Sequence, residues 1–161
     1  MSFEPKTKQV GGSTFTVAPL PFGKGREGLL KLLAVVAPTL ADALMSGGAP
    51  SVMPLIAKSG IARIAAELML HLPARLDEPT LQWFENAFGA CSSATIGEPA
   101  VAMKLETAAN RAMVFESLGY MAFFDWLRFA LEVNYSGFFA EALAKIPAKP
   151  AQPKEGETPK Q

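Results

Sequence analysis

The sequence predicts an α+β protein that is predominantly α-helical: an N-terminal β-hairpin packed on a helical bundle, a second short hairpin near residues 95–105, and a disordered proline-rich C-terminal tail. Three observations carry this. A Gly11-Gly12 pair separates two short runs, the second alternating apolar and polar residues. Most of the chain after it repeats apolar residues at helical spacing. From Pro147 onward the composition becomes PAKPAQPKEGETPKQ, with no apolar residue larger than alanine. Residues 1–8 read as a flexible start, 9–146 as one globular domain and 147–161 as the tail.

Each element has its own signal. In KTKQVGGSTFTVAPL the paired glycines supply the positive φ angles of a tight turn, and Phe15 and Val17 alternate with Thr14 and Thr16. An isolated hairpin is marginal, so that apolar face is expected against helices. After Pro19 and Pro21 a helix is expected through Leu29, Leu32, Leu33, Val36, Leu40 and Leu44, with a kink or break near Ala37 ahead of Pro38. Ser46 to Pro50 punctuates its end, and helix resumes around Val52 and from Ser59 to Leu72. Asp77 is placed to cap the next helix, with Pro79 in its first turn and a buried stripe of Leu81, Phe84, Ala87 and Phe88. TIGEPAVAMKL breaks the helical pattern and reads as the second hairpin, with Gly97 to Pro99 in the turn. One long helix is then expected from the Glu106–Arg111 region to Val133. Asp125, Arg128 and Glu132 form a narrow polar strip on it, and most of the remaining girth is apolar. Asn134, tolerant of the left-handed conformation, and Gly137 are expected to end this helix and turn the chain.

Composition narrows the function classes. At 161 residues the chain is long enough to bury roughly two thirds of its unfolded surface. Fifteen basic and fifteen acidic side chains cancel, so no global field draws nucleic acid or an anionic membrane. The hydrophobic fraction is 50%, with eleven Phe and seven Met. Ala112 to Leu131 is long enough to span a bilayer, but it carries Glu116, Asp125 and Arg128. Each would cost about 2.5–3.5 kcal/mol near a bilayer centre, so a buried or partner-covered helix is the better reading. MSFEPKTKQVGG has no apolar core of a secretory signal.

No chemical site emerges. Gly23-Lys24-Gly25-Arg26-Glu27-Gly28 matches G-x-G-x-x-G, yet the strand before it belongs to a hairpin and the acid that follows, Asp42, lies inside the helix. A dinucleotide fold needs parallel βαβ units there, so we read a flexible helix opening. With one His (His71) and one Cys (Cys91), a zinc site of the usual Cys and His composition cannot be assembled, and FGACSSA carries no nucleophile signature. No cofactor and no catalysis are expected. The sharpest feature is aromatic: Phe123, Trp126, Phe129, Tyr135, Phe138 and Phe139 are the candidate partner-binding residues, with Phe138 packing into the domain and Phe139 available to a partner. Met113 and Met121 add flexible thioethers suited to irregular surfaces.

Two stretches carry a family resemblance. TVAPLPFGKGREGLLKLLAVVAPTLADAL resembles the strand, Pro-Leu-Pro-Phe and helix opening of small tail assembly chaperones of long-tailed, siphovirus-like bacteriophages. FDWLRFALEVNYSGFF resembles their C-terminal signature, an aromatic helix followed by a Phe-rich turn. The resemblance implies a non-enzymatic protein of the infected host's cytoplasm, absent from the mature virion. It would bind the tape measure protein and keep it soluble for tube assembly, with tail tube protein left open as a further partner. It also implies a frameshifted longer form of the chain as a partner and leaves a homo-oligomer open. A minor virion structural protein or head-tail adaptor is the alternative, using the same apolar surface for permanent contacts.

Overall fold

Gly11 and Gly12 adopt φ of 57° and 82°, the left-handed pair that a two-residue hairpin turn requires, and they join β1 (Lys6–Val10) to β2 (Ser13–Val17). The computed structural model describes residues 4–45, 76–98 and 100–144. Within them follow α1 (Phe22–Met45), α2 (Glu78–Gly89), β3 (Ser92–Ile96), β4 (Val101–Lys104), α3 (Ala108–Leu118) and α4 (Tyr120–Ala144). β1 begins at Lys6, inside the stretch expected to be flexible, because all five of its residues pair with β2.

The two hairpins are one sheet. Its order is β1-β2-β3-β4, antiparallel throughout, with Phe15 opposite Lys8 on one side and Ala94 on the other. Periodicity marks one face of a strand and says nothing about its neighbour, so this joining of sequence-distant strands was not expected. Phe15, Val17, Ser92 and Ala94 are buried on the inner face. On the other face Thr7 bonds Thr16 through their hydroxyls (3.2 Å), and Gln9 Nε2 donates to Thr14 Oγ1 (2.6 Å). α4 packs against β1 and β2, and α2 against β3, which makes a helical layer on one side of the sheet.

The core between the layers holds Phe15, Val17, Leu32, Phe84, Phe88, Leu105, Val114, Trp126, Leu127 and Leu131, each fully buried. Burial of a large apolar side chain contributes about 1.5–3 kcal/mol, so this set is the main favourable term. Trp126 Nε1 donates to Ser92 Oγ at 3.2 Å, satisfying both buried polar groups across the layers.

Helix ends follow local chemistry. Asp77 caps α2, its Oδ1 accepting from Thr80 N at 3.0 Å with Pro79 in the first turn. These bonds hold its carboxyl below the usual range. Thr107 caps α3 through Asn110 N. α1 runs unbroken past Pro38 to Met45, so the expected break is absent; a proline removes one helical bond, and a long helix carries on beyond it. The single long helix expected from residue 106 to 133 is instead two, divided at Gly119, whose φ of 86° and ψ of 165° lie outside helical space.

The largest correction concerns Asn134 and Gly137. α4 passes through Asn-Tyr-Ser-Gly without turning. Asn134 Nδ2 donates to Ala130 O (2.8 Å), and its Oδ1 accepts from Leu20 N at 2.7 Å. Leu20 lies between Pro19 and Pro21, so its amide is the one that segment can donate. Asn134 is therefore a clamp from α4 to the β2–α1 link. Gly137 is exposed with open space around it, and packing on either side of it carries the helix through. The helices expected near Val52 and from Ser59 to Leu72, the Ser46 to Pro50 stretch, His71 and the proline-rich tail lie outside the described residues.

Candidate partner-binding site

Gly119 positions the site. Its conformation is open to glycine alone, and it lets α3 stop and α4 restart within one residue. Gly119 N donates to Phe115 O (2.8 Å), and Gly119 O accepts from Ala122 N (3.1 Å). Tyr120, placed at this joint, is 87% exposed.

Beside the joint, α2, α3 and the start of α4 enclose an open groove of about 580 Å³. Phe115 and Phe123 line it as a T-shaped pair with centroids 5.3 Å apart. Both rings continue into the core, Phe115 stacking on Phe15 (5.9 Å) and lying 5.3 Å from Trp126. Ala108 and Ala112 keep one wall low, and Glu85, Arg111 and Glu116 are its charged groups. The same helices expose Met121 (74%), Met113 (57%) and Phe124 (39%), with the Phe124 ring 5.2 Å from that of Phe123.

Arg111 holds the wall together. It is buried, and its guanidinium donates to Leu105 O (3.0 Å), Glu106 O (3.1 Å) and Asn86 Oδ1 (2.6 Å), tying α3 to α2 and to the loop after β4. Gly89 leaves room for it, since a Cβ there would stand 2.8 Å from the guanidinium and 2.5 Å from Leu105 O. Glu85 is half-buried, and loss of water pushes its carboxyl above the usual range against the opposing pull of Arg111.

The predicted aromatic set divides. Phe123 lines the groove and is half-buried. Trp126, Phe129, Tyr135 and Phe139 are core side chains. Phe138 is half-buried and Phe139 only 3% exposed, the reverse of the expected order, because α4 does not turn before them. Tyr120, Phe115, Glu85 and Glu116 were missed. Gly119 was the available signal, since a glycine inside a helical pattern is a candidate C-cap that would place Tyr120 at a helix start.

The glycine motif has a packing role at its last position. Gly28 is buried in α1, where a Cβ would run into Tyr135 Oη and come within 2.9 Å of Trp83. Lys24 and Lys31 lie over the Trp83 ring at 5.7 and 5.5 Å, and Lys24 pairs with Glu27 at 3.4 Å. Cys91 is half-buried, and burial pushes its thiol up, away from the reactive thiolate. Among the described residues no cluster of His, Cys, Asp or Glu is arranged to hold a metal ion, and no helix is long and apolar enough to cross a membrane.

No curated protein and no solved structure matches the chain. A family model does: the one described as phage tail assembly chaperone protein, TAC, matches residues 11–146, from the β1–β2 turn through the end of α4, and the chain belongs to that family.

Proposed function

We propose that the chain binds the tape measure protein in the host cytoplasm and keeps it soluble until the tail tube assembles around it, without catalysis and without remaining in the virion. The observation that carries the reading is the open, aromatic-lined groove with exposed Tyr120 in its lining, on helices that also expose Met121 and Met113. A helical client offers an apolar stripe, and burying it in a groove is a recurring mode of peptide recognition. Methionine side chains adapt to stripes that differ from turn to turn. Tail tube protein and a frameshifted longer form of the chain are further partners in this reading.

Co-expression with the tape measure protein of the same phage tests it. The expected result is a soluble client that co-elutes with the chain. An insoluble client and no complex would overturn the proposal, and stoichiometric presence of the chain in purified particles would favour a minor virion component instead.

A further inference from the structure

The groove has a sign as well as an apolar lining. Of its charged groups, Arg111 is buried in the wall and donates to neutral acceptors, namely two backbone carbonyls and Asn86 Oδ1, so it keeps its full positive charge and attracts Glu85. Glu85 and Glu116 have no hydrogen-bond or ion-pair partner among the described residues, and Glu85 is partly withdrawn from water. The helix ends at the joint do not reverse this. The negative C-terminal end of α3 and the positive N-terminal end of α4 meet at Gly119, where their half-charges offset. With Arg111 offsetting one of the two carboxylates, the lining keeps an excess of one negative charge, and Glu116 is the one exposed to an incoming ligand.

We infer that the groove selects a basic amphipathic helix: apolar side chains at i, i+3, i+4 and i+7 fill the space over Phe115 and Phe123 beside Tyr120, and flanking Lys or Arg side chains pair with Glu85 and Glu116. This rests on the client-binding reading above and names the chemistry of the segment that is bound. A partly desolvated carboxylate facing a groove costs free energy in the unbound chain, and a docking cation recovers it. An acidic helix of the same apolar stripe meets like charges instead, so the groove rejects it by repulsion as well as by lost attraction. The chain has no net charge, so such a preference comes from these residues and not from a general field.

Two synthetic peptides test this on the full chain by calorimetric titration: one with leucines at the four stripe positions and lysines flanking them, and one with glutamates replacing the lysines. The lysine peptide is expected to bind at least about tenfold more tightly at low salt, and the gap is expected to shrink as salt screens the pairs. In the double variant Glu85→Gln/Glu116→Gln the lysine peptide should lose about fivefold to tenfold, the range of two partly exposed pairs. Glu98→Gln, in the β3–β4 turn, should leave it unchanged. Tyr120→Ala should weaken both peptides. Equal or tighter binding of the glutamate peptide, or no response to the double variant, would overturn the acidic-groove assignment. If that happens while the native chain still co-elutes with the tape measure protein, the chaperone reading stands and the groove's selectivity fails. If the native chain holds no client, the chaperone reading itself fails whichever peptide binds.

Discussion

Tyr135 is the residue at which packing and polarity conflict. Its ring is 97% buried against Phe84 and Phe88, with centroids 6.5 and 6.4 Å away, and its hydroxyl presses on Gly28 of α1 with no hydrogen-bond partner among the described residues. An unsatisfied buried hydroxyl costs about 1–3 kcal/mol, whereas the ring's contribution is kept by phenylalanine. Tyr135→Phe is therefore expected to raise stability by about 1 kcal/mol, read as a higher urea midpoint at neutral pH. The pH dependence has a defined sign. Burial, with Glu27 adding its charge, lifts the phenol's pKa in the folded state above its ordinary 10.0. The folded protein then retains the proton longer than the unfolded chain, so this group's contribution is intact below pH 10.0 and declines as pH rises beyond it. The phenylalanine variant should show a shallower alkaline decline. A variant less stable than the native chain at neutral pH would mean that the hydroxyl has a partner after all.

At the scale of elements, the joint between α3 and α4 is where one residue sets the geometry of the site. Gly119 sits at φ 86° and ψ 165°, and a Cβ at that backbone conformation is strained even though the space around it is open. Gly119→Ala should cost about 1–3 kcal/mol and shift Tyr120 relative to Phe115, so the urea midpoint and client co-elution should fall together. An unchanged midpoint would show that α3 can run directly into α4. The contrast between Gly119 and Asn134 explains what the sequence made legible. Both hairpins, the Asp77 cap and the stripe of α2 were readable because each depends on neighbours a few residues away. Asn134 looked like a helix stop for the same local reason, but its partner is Leu20 N, 114 residues distant, and that bond with its tertiary packing favours the continuous helix. The joining of β2 to β3 was illegible on the same ground, since pairing across such a separation leaves no local trace.

For the molecule as a whole, the chain divides its aromatic rings between a buried core and an exposed surface. Sequence alone could not make the division, because α4 is covered by the sheet on one side and by α2 and α3 on others, so Trp126, Leu127, Phe129, Ala130 and Leu131 are all buried and no single stripe marks an inside. The structure separates exposed from buried side chains along α4: Tyr120 and Met121 at its start are exposed and its middle is core. The division predicts opposite outcomes for two substitutions on the same helix. Trp126→Ala removes a fully buried ring and its bond to Ser92, and should cost about 3–5 kcal/mol, a large share of the 5–15 kcal/mol typical of a domain. Its loss of client should follow only from unfolding, recovering at lower temperature. Tyr120→Ser with Met121→Ser exposes nothing new and should leave stability within about 0.5 kcal/mol, because both side chains already face solvent. Thermal melting and co-elution with the tape measure protein, measured on both variants, resolve the two roles. A surface pair that melts normally and no longer retains the client assigns Tyr120 and Met121 to binding. Full retention of the client by that variant would move the binding surface elsewhere on the chain.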